Sequence, residues 1–216
     1  MSRLEMDPTE IGAAATYGWL ASLVVPRPIA WVSSTSAAGI DNLAPHSFFT
    51  VSSEDPPVLQ FTSVGRKDTL RNVEETGEFV VNITTEDLLE TVNATATNFP
   101  RELGEFDELG IAREPSLRVR PPRVAASPAA FECVVEGFHA FGTDDSGCTV
   151  VFGRVVHIAV REEVTRDGRA RIELLRPVAR LGGAEWTTIG EVSRHRRIPY
   201  VDHLLAERRG DETRSG

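Results

Sequence analysis

The sequence predicts a mainly β fold with short helices, contained in one domain. Apolar runs rich in β-branched residues recur along the chain, and turn-forming residues separate them, which is typical of antiparallel strands. The chain has 216 residues, of which 41% are hydrophobic and 25% are charged. That is enough for one well-filled core and too little for two full domains. We therefore expect consecutive strands to pair antiparallel within a single domain.

Seven apolar runs are predicted as strands. In chain order they are Pro28–Ser34, Phe48–Ser52, Pro57–Thr62, Phe79–Ile83, Ala129–Phe141, Thr149–Val160 and Arg171–Leu175. Turn signals separate them at Ala38-Gly39, at Asp144 to Gly147 and at Asp167-Gly168. The last of these suits a two-residue hairpin loop.

Two stretches break the strand pattern and predict helices. Asp68 is a plausible N-cap for a helix that ends at Thr76, with Gly77 just beyond its C-terminus. Apolar residues at helical spacing predict a second helix within residues 85–98. Residues 99–128 are rich in Pro, Arg and Glu without clear periodicity, so we expect a long loop that packs for function or forms an interface.

The composition favours some classes of protein and disfavours others. Asp and Glu outnumber Lys and Arg by 32 to 23, which argues against a nucleic-acid partner. No apolar run approaches the roughly 20 residues of a membrane span, and the first residues lack a secretory pattern. We therefore expect a cytoplasmic protein without a membrane partner. The two cysteines lack zinc-site spacing, so no metal site is expected, and Cys133 is predicted to pack in the core.

Residues 57–72 run from an apolar strand, through a turn that contains Gly65, into a helix start. Free backbone N–H groups and the positive end of the helix dipole favour an anion at such a junction. Four side chains there add hydroxyl or cationic donors: Ser63, Arg66, Lys67 and Thr69. A phosphate monoester would fit. Taken alone, the stretch also fits an ordinary strand, turn and capped helix with solvated cations.

Several further motifs accompany this junction. They include Arg27-Pro28-Ile29-Ala30-Trp31, Ala44-Pro45-His46-Ser47-Phe48, Gly65-Arg66-Lys67-Asp68-Thr69, Asn98-Phe99-Pro100, Glu105-Phe106-Asp107, Phe131-Glu132-Cys133 and Arg180-Leu181-Gly182-Gly183. Together they closely resemble the flavin reductase-like domain family of FMN-binding split barrels, in particular its flavoredoxin-like branch. The resemblance covers residues 20–190, which leaves residues 1–19 as an N-terminal extension and residues 191–216 as a polar tail.

The resemblance implies a split β-barrel, a Greek-key-like antiparallel barrel that holds FMN without a covalent bond. The phosphate is expected at the junction described above, and the ring along Ala44 to Phe48. The implied cofactor-binding residues are Asn42, Ala44, Pro45, His46, Ser47, Phe48, Ser63, Arg66, Lys67 and Thr69. Ser47 and His46 are the implied catalytic residues, since the Ser47 hydroxyl can hydrogen-bond the polar edge of the ring.

The properties of single residues support part of this assignment. Pro45 extends Ala44 and removes one backbone donor, which suits a strand edge that a ligand can cover. An ordinary irregular strand entry is the alternative. His46 fits a surface or hydrogen-bonded histidine as well as a flavin contact. Trp31 is predicted to pack in the core.

The implied activity is that of an NAD(P)H:FMN oxidoreductase, a flavin reductase that passes reduced FMN or electrons to a monooxygenase or redox-protein partner. NAD(P)H is the implied co-substrate, although Cys148 stands where many members carry a histidine associated with nicotinamide binding. A homodimer is also implied, with the flavin near the subunit boundary. Two alternatives stay open: a flavoredoxin-type FMN electron carrier reduced by a protein partner, and a non-catalytic flavin-binding protein.

Overall fold

A seven-stranded antiparallel sheet forms the centre of the computed structural model, which describes residues 2–142 and 147–200. Its strands, labelled in chain order and given in spatial order, are β3 (Asp41–His46), β2 (Ala30–Thr35), β6 (Glu78–Ile83), β9 (Ala129–Phe141), β10 (Cys148–Val160), β5 (Pro57–Val64) and β4 (Phe49–Glu54). Of its pairings, β2–β3, β4–β5 and β9–β10 join consecutive strands, and β2–β6, β6–β9 and β5–β10 join strands distant in sequence. Consecutive pairing therefore describes half of this sheet.

The remaining elements surround the sheet. The helices are α1 (Pro8–Leu23), α2 (Asp68–Thr76), α3 (Leu89–Ala94), α4 (Glu105–Glu108) and α5 (Ile172–Leu175), with 3₁₀ turns at Glu86–Leu88 and Glu162–Val164. Three small sheets comprise β1 (Arg27–Pro28), β13 (Val178–Arg180) and β14 (Trp186–Thr188); β7 (Arg113–Glu114) and β8 (Arg123–Val124); and β11 (Thr165–Arg166) and β12 (Arg169–Ala170). Within the described ranges, every helix falls short of the length and apolarity that crossing a bilayer requires.

The two edge strands of the large sheet, β3 and β4, are joined directly through Ser47 and Phe48. The sheet curls so that its edges approach each other there. The backbone N–H of Thr62 on β5 donates to the Phe48 carbonyl oxygen at 2.9 Å, and His46 Nδ1 lies 3.3 Å from the Thr62 carbonyl oxygen. No ladder joins β3 to β4 or β5 in the described part of the chain, so the barrel wall is split along this line, which we call the seam.

Apolar side chains from the strands and from α2 fill the barrel. The buried cluster comprises Ala30, Val32, Leu59, Phe61, Leu70, Val73, Phe79, Val81, Cys133 and Val151. Gly153 is required by this packing, because a Cβ at that position would lie 2.2 Å from Phe79 Cζ. Cys133 is fully buried, which confirms its predicted place in the core.

A second apolar cluster covers the outer face of β2 and β3. Trp31 and Leu43 pack there against Val92 of α3, Phe106 of α4 and Val178 of β13. Trp31 is 0% exposed, so its predicted place in the core is confirmed. The cluster fixes α3 and α4 beside the seam.

Six of the seven predicted strands are present, with shifts of a few residues at their ends. The seventh prediction, Arg171–Leu175, is wrong. Residues 172–175 form α5, in which the N–H groups of Leu174 and Leu175 donate back to the Arg171 carbonyl oxygen. So short an apolar run fits helical and strand periodicity equally well.

The predicted helix Asp68–Thr76 is confirmed as α2, and Gly77 follows it with a left-handed φ of 72°. Its N-cap is Lys67 and not Asp68, which is the first helical residue. The second predicted helix is shorter than expected, because α3 ends at Ala94. The expected long loop at residues 99–128 contains α4 and the β7–β8 hairpin.

The predicted turns fare differently. Asp167 and Gly168 connect β11 to β12 with φ values of 55° and 70°, as a type I′ hairpin requires. Most of the turn predicted at Asp144 to Gly147 lies outside the described residues. Helix α1 runs through the predicted boundary between residues 19 and 20, and Ala21 is its only buried residue.

Candidate functional site

A cavity of about 300 Å³ lies at the barrel seam. Its walls are β3 and the β3–β4 connection, the end of β5, the N-terminus of α2, and the segment 95–99 that follows α3. Eight of the ten predicted cofactor-binding residues line it: Asn42, Ala44, Pro45, His46, Ser47, Phe48, Lys67 and Thr69. We call this space the seam cavity.

The N-terminus of α2 lines the seam cavity, and no side chain caps it. The backbone N–H groups of Asp68 and Thr69 find no acceptor among the described residues. The Asp68 carboxylate instead lies 3.3 Å from Arg71 on the next turn of the helix. The predicted Asp68 cap is therefore wrong, and the first turn keeps donors for an external acceptor.

Asn42 fixes the hydroxyl of Thr69. The Asn42 Nδ2 group donates to Thr69 Oγ1 at 3.0 Å, and both residues are buried. Since the oxygen already accepts this bond, the hydroxyl hydrogen is left to donate elsewhere. Lys67 adds a cation, and it forms no salt bridge within the described residues. This end of the cavity therefore carries N–H, O–H and ammonium donors together.

Two predicted phosphate ligands lie outside the cavity lining. The Ser63 hydroxyl is buried and donates to the Gly65 carbonyl oxygen at 2.9 Å. The Arg66 guanidinium pairs with Glu74 at 2.7 Å. Ser63 therefore shapes the turn before α2, and Arg66 faces the side of that helix.

The free edge of β3 forms another wall. The Leu43 N–H donates to Glu105 Oε2 at 2.8 Å, so the backbone N–H of Leu43 points away from β2. Because outward and inward backbone groups alternate along a strand, position 45 faces the same way, and Pro45 has no N–H to offer. β3 is an edge strand of the sheet, as Pro45 suggests.

His46 lies beneath the β3–β4 connection and is 8% exposed. Its ring packs on Phe61 with 4.7 Å between centroids. Burial lowers the pKa of His46 to about 4, so the imidazole is neutral at pH 7. Donation from Nδ1 to the Thr62 carbonyl oxygen leaves Nε2 as an acceptor, and that buried atom has no partner in the described residues.

The opposite wall is held by a hydrogen bond from Trp31. Its Nε1 donates to Thr95 Oγ1 at 2.9 Å, and the Thr95 hydroxyl donates to the Val92 carbonyl oxygen at 2.8 Å. Both Trp31 and Thr95 are buried. The segment 95–99 is thereby anchored to the barrel, and it lines the cavity of its own chain.

Several lining residues were not predicted from the sequence. Tyr17 comes from α1, and its ring lies 6.3 Å from that of Phe48. Glu105 is 6% exposed and lies in the wall beside β3. Glu105 stood in one of the motifs, although nothing in its local pattern assigned it a role. Tyr17 carried no local signal, because only the folding of α1 over the barrel brings it to the seam.

The chain is similar in sequence to a known protein family and to curated proteins. The family described as "Flavin reductase like domain" matches residues 21–175. A curated relative, an uncharacterized protein of Halalkalibacterium halodurans, is 38% identical over 196 residues, covering 87% of this chain and 93% of its own length.

Solved structures give the same result. Nitrilotriacetate monooxygenase component B from Bacillus cereus superposes with a TM-score of 0.86 at 34% identity, covering 90% of this chain and 100% of that one. The 2-nitrobenzoate 2-nitroreductase of Pseudomonas fluorescens superposes with a TM-score of 0.83 at 30% identity, covering 91% and 96%. A Shewanella frigidimarina structure described as having a split barrel domain shares the fold alone, with a TM-score of 0.78 at 18% identity over 91% of this chain and 100% of its own. The predicted split-barrel fold is confirmed.

Proposed function

This chain belongs to the flavin reductase-like domain family, and on that premise we propose that it binds FMN in the seam cavity and acts as an NAD(P)H:FMN oxidoreductase. In that role the chain would supply reduced FMN, or electrons from it, to an acceptor. One observation carries the proposal: the uncapped N-terminus of α2, with Lys67 and Thr69, opens onto a cavity of about 300 Å³. That volume lies at the lower end of the range for small-ligand sites.

The donors at the start of α2 fit the phosphate of FMN. Backbone N–H groups at a helix N-terminus bind anions, and Lys67 and the Thr69 hydroxyl add charge-assisted hydrogen bonds. Ser63 supports this end indirectly, through its bond to the Gly65 carbonyl oxygen. Arg66 is paired with Glu74 and lies outside the cavity lining, so it is expected to contribute less to phosphate binding than Lys67 does.

The residues from Ala44 to Phe48 fit the isoalloxazine ring of FMN. When bound, FMN would supply the redox chemistry through this ring. In the proposal, the Ser47 hydroxyl donates to the polar edge of the ring, where a hydrogen bond stabilises negative charge. His46 lies under this connection as a neutral imidazole. It adds no net charge at pH 7, and it presents an acceptor at Nε2.

The relatives support an oxidoreductase and suggest two kinds of acceptor. One is a component of a monooxygenase, and another is a nitroreductase that acts on 2-nitrobenzoate. We propose that this chain likewise delivers electrons either to a partner monooxygenase or to a small aromatic acceptor. A flavoredoxin-type carrier and a non-catalytic flavin-binding protein are outcomes that the experiment below separates from these.

We also propose a homodimer, which the surface of α1 supports. Trp19, Leu20 and Leu23 expose 39%, 56% and 70% of their surface on a helix that buries only Ala21. Large apolar side chains that a helix leaves exposed are candidates for contact with another chain. Tyr17 of the same helix lines the seam cavity, so such contact would lie beside the proposed flavin.

Titration with FMN and riboflavin, followed by steady-state oxidation of NADH and NADPH, tests this function. We expect FMN to bind more tightly than riboflavin, and added FMN to support turnover. Bound FMN that is reduced by a redox protein but not by NAD(P)H would identify an electron carrier. Bound FMN that neither reductant reduces would identify a non-catalytic protein. Equal, weak binding of FMN and riboflavin would contradict the phosphate site itself.

A further inference from the structure

Glu105 is a buried carboxyl group in the wall of the seam cavity. It is 6% exposed, and one of its oxygens, Oε2, accepts the N–H of Leu43 at 2.8 Å. This bond ties α4 to the free edge of β3, next to Asn42, which holds the Thr69 hydroxyl. Glu105 therefore shares one cavity wall with the donors at the start of α2 and with the β3–β4 connection.

No cation pairs with Glu105 among the residues that the structure describes. Asp68, the other carboxylate of the cavity wall, has Arg71 beside it at 3.3 Å. Burial raises the pKa of the Glu105 carboxyl against the lowering effect of its hydrogen bond from Leu43, and the like charge of Asp68 raises it further. An unpaired buried carboxylate is costly, and it lowers this cost by taking a proton or by gaining a donor.

Resting on the FMN site proposed above, we propose that Glu105 is a further ligand-contacting residue, which takes up one proton from solvent when FMN occupies the seam cavity. The incoming phosphate carries up to two negative charges and excludes water, and each effect disfavours a second anion nearby. The protonated carboxyl keeps one oxygen for the Leu43 N–H. Its O–H can then donate to an oxygen of the ligand, which a carboxylate cannot do.

The sign of the coupling follows from linkage. If the complex holds more protons than the free protein, FMN affinity falls as pH rises through the range in which Glu105 titrates. The elements around Glu105 carry these other ionisable or charged groups: Lys67 at the N-cap of α2, Asp68 and Arg71 on α2, Asp41 and His46 on β3, Arg101 before α4, Asp107 and Glu108 on α4, and Arg113 on β7. Asp41 and Asp107 both pair with Arg113, and Arg101 pairs with Glu75.

Isothermal titration calorimetry of the full chain with FMN tests the proposal. The binding enthalpy is measured at about pH 6.5 in two buffers with different ionisation enthalpies, and its dependence on the buffer gives the number of protons taken up. The variants are Glu105→Gln, which keeps an acceptor for Leu43, and Glu108→Gln, a matched control at an exposed position of the same helix. Contributions from His46 and from the phosphate are common to all three proteins.

We expect the wild type and Glu108→Gln to take up about 0.3 to 1 proton more than Glu105→Gln. Equal uptake by the wild type and Glu105→Gln, with FMN bound to both, overturns the role of Glu105 and leaves the proposed function standing. If FMN fails to bind the wild type, the proposed function falls and this inference falls with it.

A further measurement needs no variant. Carbon-13 NMR of the Glu105 carboxyl carbon, assigned through the backbone of the wild-type protein, reports its protonation directly. At the same pH, we expect its resonance to move toward the protonated position when FMN is added. An unchanged carboxylate resonance at full FMN occupancy overturns the proposal, even if Glu105→Gln fails to fold.

Discussion

Two buried glutamates in this chain have opposite surroundings. Glu132 on β9 is 0% exposed, accepts the N–H groups of Leu117 and Arg118 at 3.0 and 2.6 Å, and lies 3.6 Å from Arg123. Glu105 is almost as buried and accepts the Leu43 N–H, yet it has no cation beside it among the described residues. The Glu132 carboxylate is enclosed by partners, whereas the Glu105 carboxyl group lines a cavity.

This difference extends to the regions around them. Near Glu132, the Arg123 guanidinium also donates to the Glu114 carboxylate and to the Pro115 carbonyl oxygen, so the polar groups hold residues 114–123 against β9. Around Glu105, polar groups keep unused capacity: the first N–H groups of α2, the Thr69 hydroxyl, and His46 Nε2. Groups that satisfy one another stabilise the fold, and groups left unsatisfied in a cavity are available to a ligand.

The largest expected effect is on the free energy of unfolding, when the enclosed carboxylate of Glu132 is removed. Glu132→Ala removes the shared acceptor of Leu117 and Arg118 and leaves Arg123 without its buried partner, which costs about 3–5 kcal/mol in the free energy of unfolding. Glu136→Ala, on the same strand, breaks only an exposed pair with Arg154 and should cost less than about 1 kcal/mol. Urea unfolding of both variants measures this. Similar losses for the two variants would show that the enclosed Glu132 carboxylate contributes no more to stability than an exposed ion pair.

Lys67→Ala tests the donors of the seam cavity. Loss of a charge-assisted contact worth about 1.5–3 kcal/mol should weaken FMN binding by about one to two orders of magnitude and leave riboflavin binding unchanged. The unfolding free energy of the ligand-free protein should barely change. Arg66→Ala should weaken FMN binding less, because Arg66 is paired with Glu74 and lies outside the cavity lining. A parallel fall in FMN and riboflavin affinity would show a disturbed fold.

Ser47→Ala should affect the reduction of bound FMN more than its binding. A neutral hydrogen bond to the ring edge is worth about 0.5–1.5 kcal/mol, so we expect reduction to slow by roughly 2- to 12-fold at full flavin occupancy. Stopped-flow reduction of the bound flavin by NAD(P)H gives the rate. An unchanged rate would remove Ser47 from the proposed active site.

The sequence predicted the regions in which local signals agree with the fold. Helix α2 was predicted with its observed bounds, Asp68–Thr76, because a polar start and a left-handed glycine just beyond the end are local features. Strand β3 was missed, because Asp41, Asn42 and Pro45 are poor strand formers. Helix α1 was missed as well, since its small and apolar residues bury almost nothing within the chain.

The site divides in the same way. The segment 44–48 and the donors Lys67 and Thr69 each lie within a short sequence motif. The family resemblance therefore predicted them as cofactor-binding residues. Asp68 was wrongly predicted as the helix cap, because its carboxylate could accept either from N–H groups of the first helical turn or from Arg71. In the structure it pairs with Arg71. Glu105, Tyr17 and the anchored segment 95–99 reach the cavity only through packing of α1, α3 and α4 against the barrel. Local sequence contains no signal for such long-range contacts.

The smallest expected effect concerns the stability of the ligand-free protein with Glu105→Gln. Burial raises the pKa of Glu105 in the folded state above its ordinary value, so the folded protein binds more protons than the unfolded chain between those two pKa values. The stability contributed by the protonated form is therefore fully present below the unfolded pKa and is lost as pH rises through the folded pKa. Glutamine has no such titration. The wild type should consequently lose stability relative to Glu105→Gln as pH rises from the ordinary glutamate pKa of about 4.3 toward neutral pH, by less than Glu132→Ala costs. Urea midpoints of the two proteins across this range measure the difference, and Glu108→Gln should track the wild type throughout. A gap between wild type and Glu105→Gln that does not change with pH would mean that Glu105 is as well compensated as Glu132, and the contrast between the two buried glutamates would not hold.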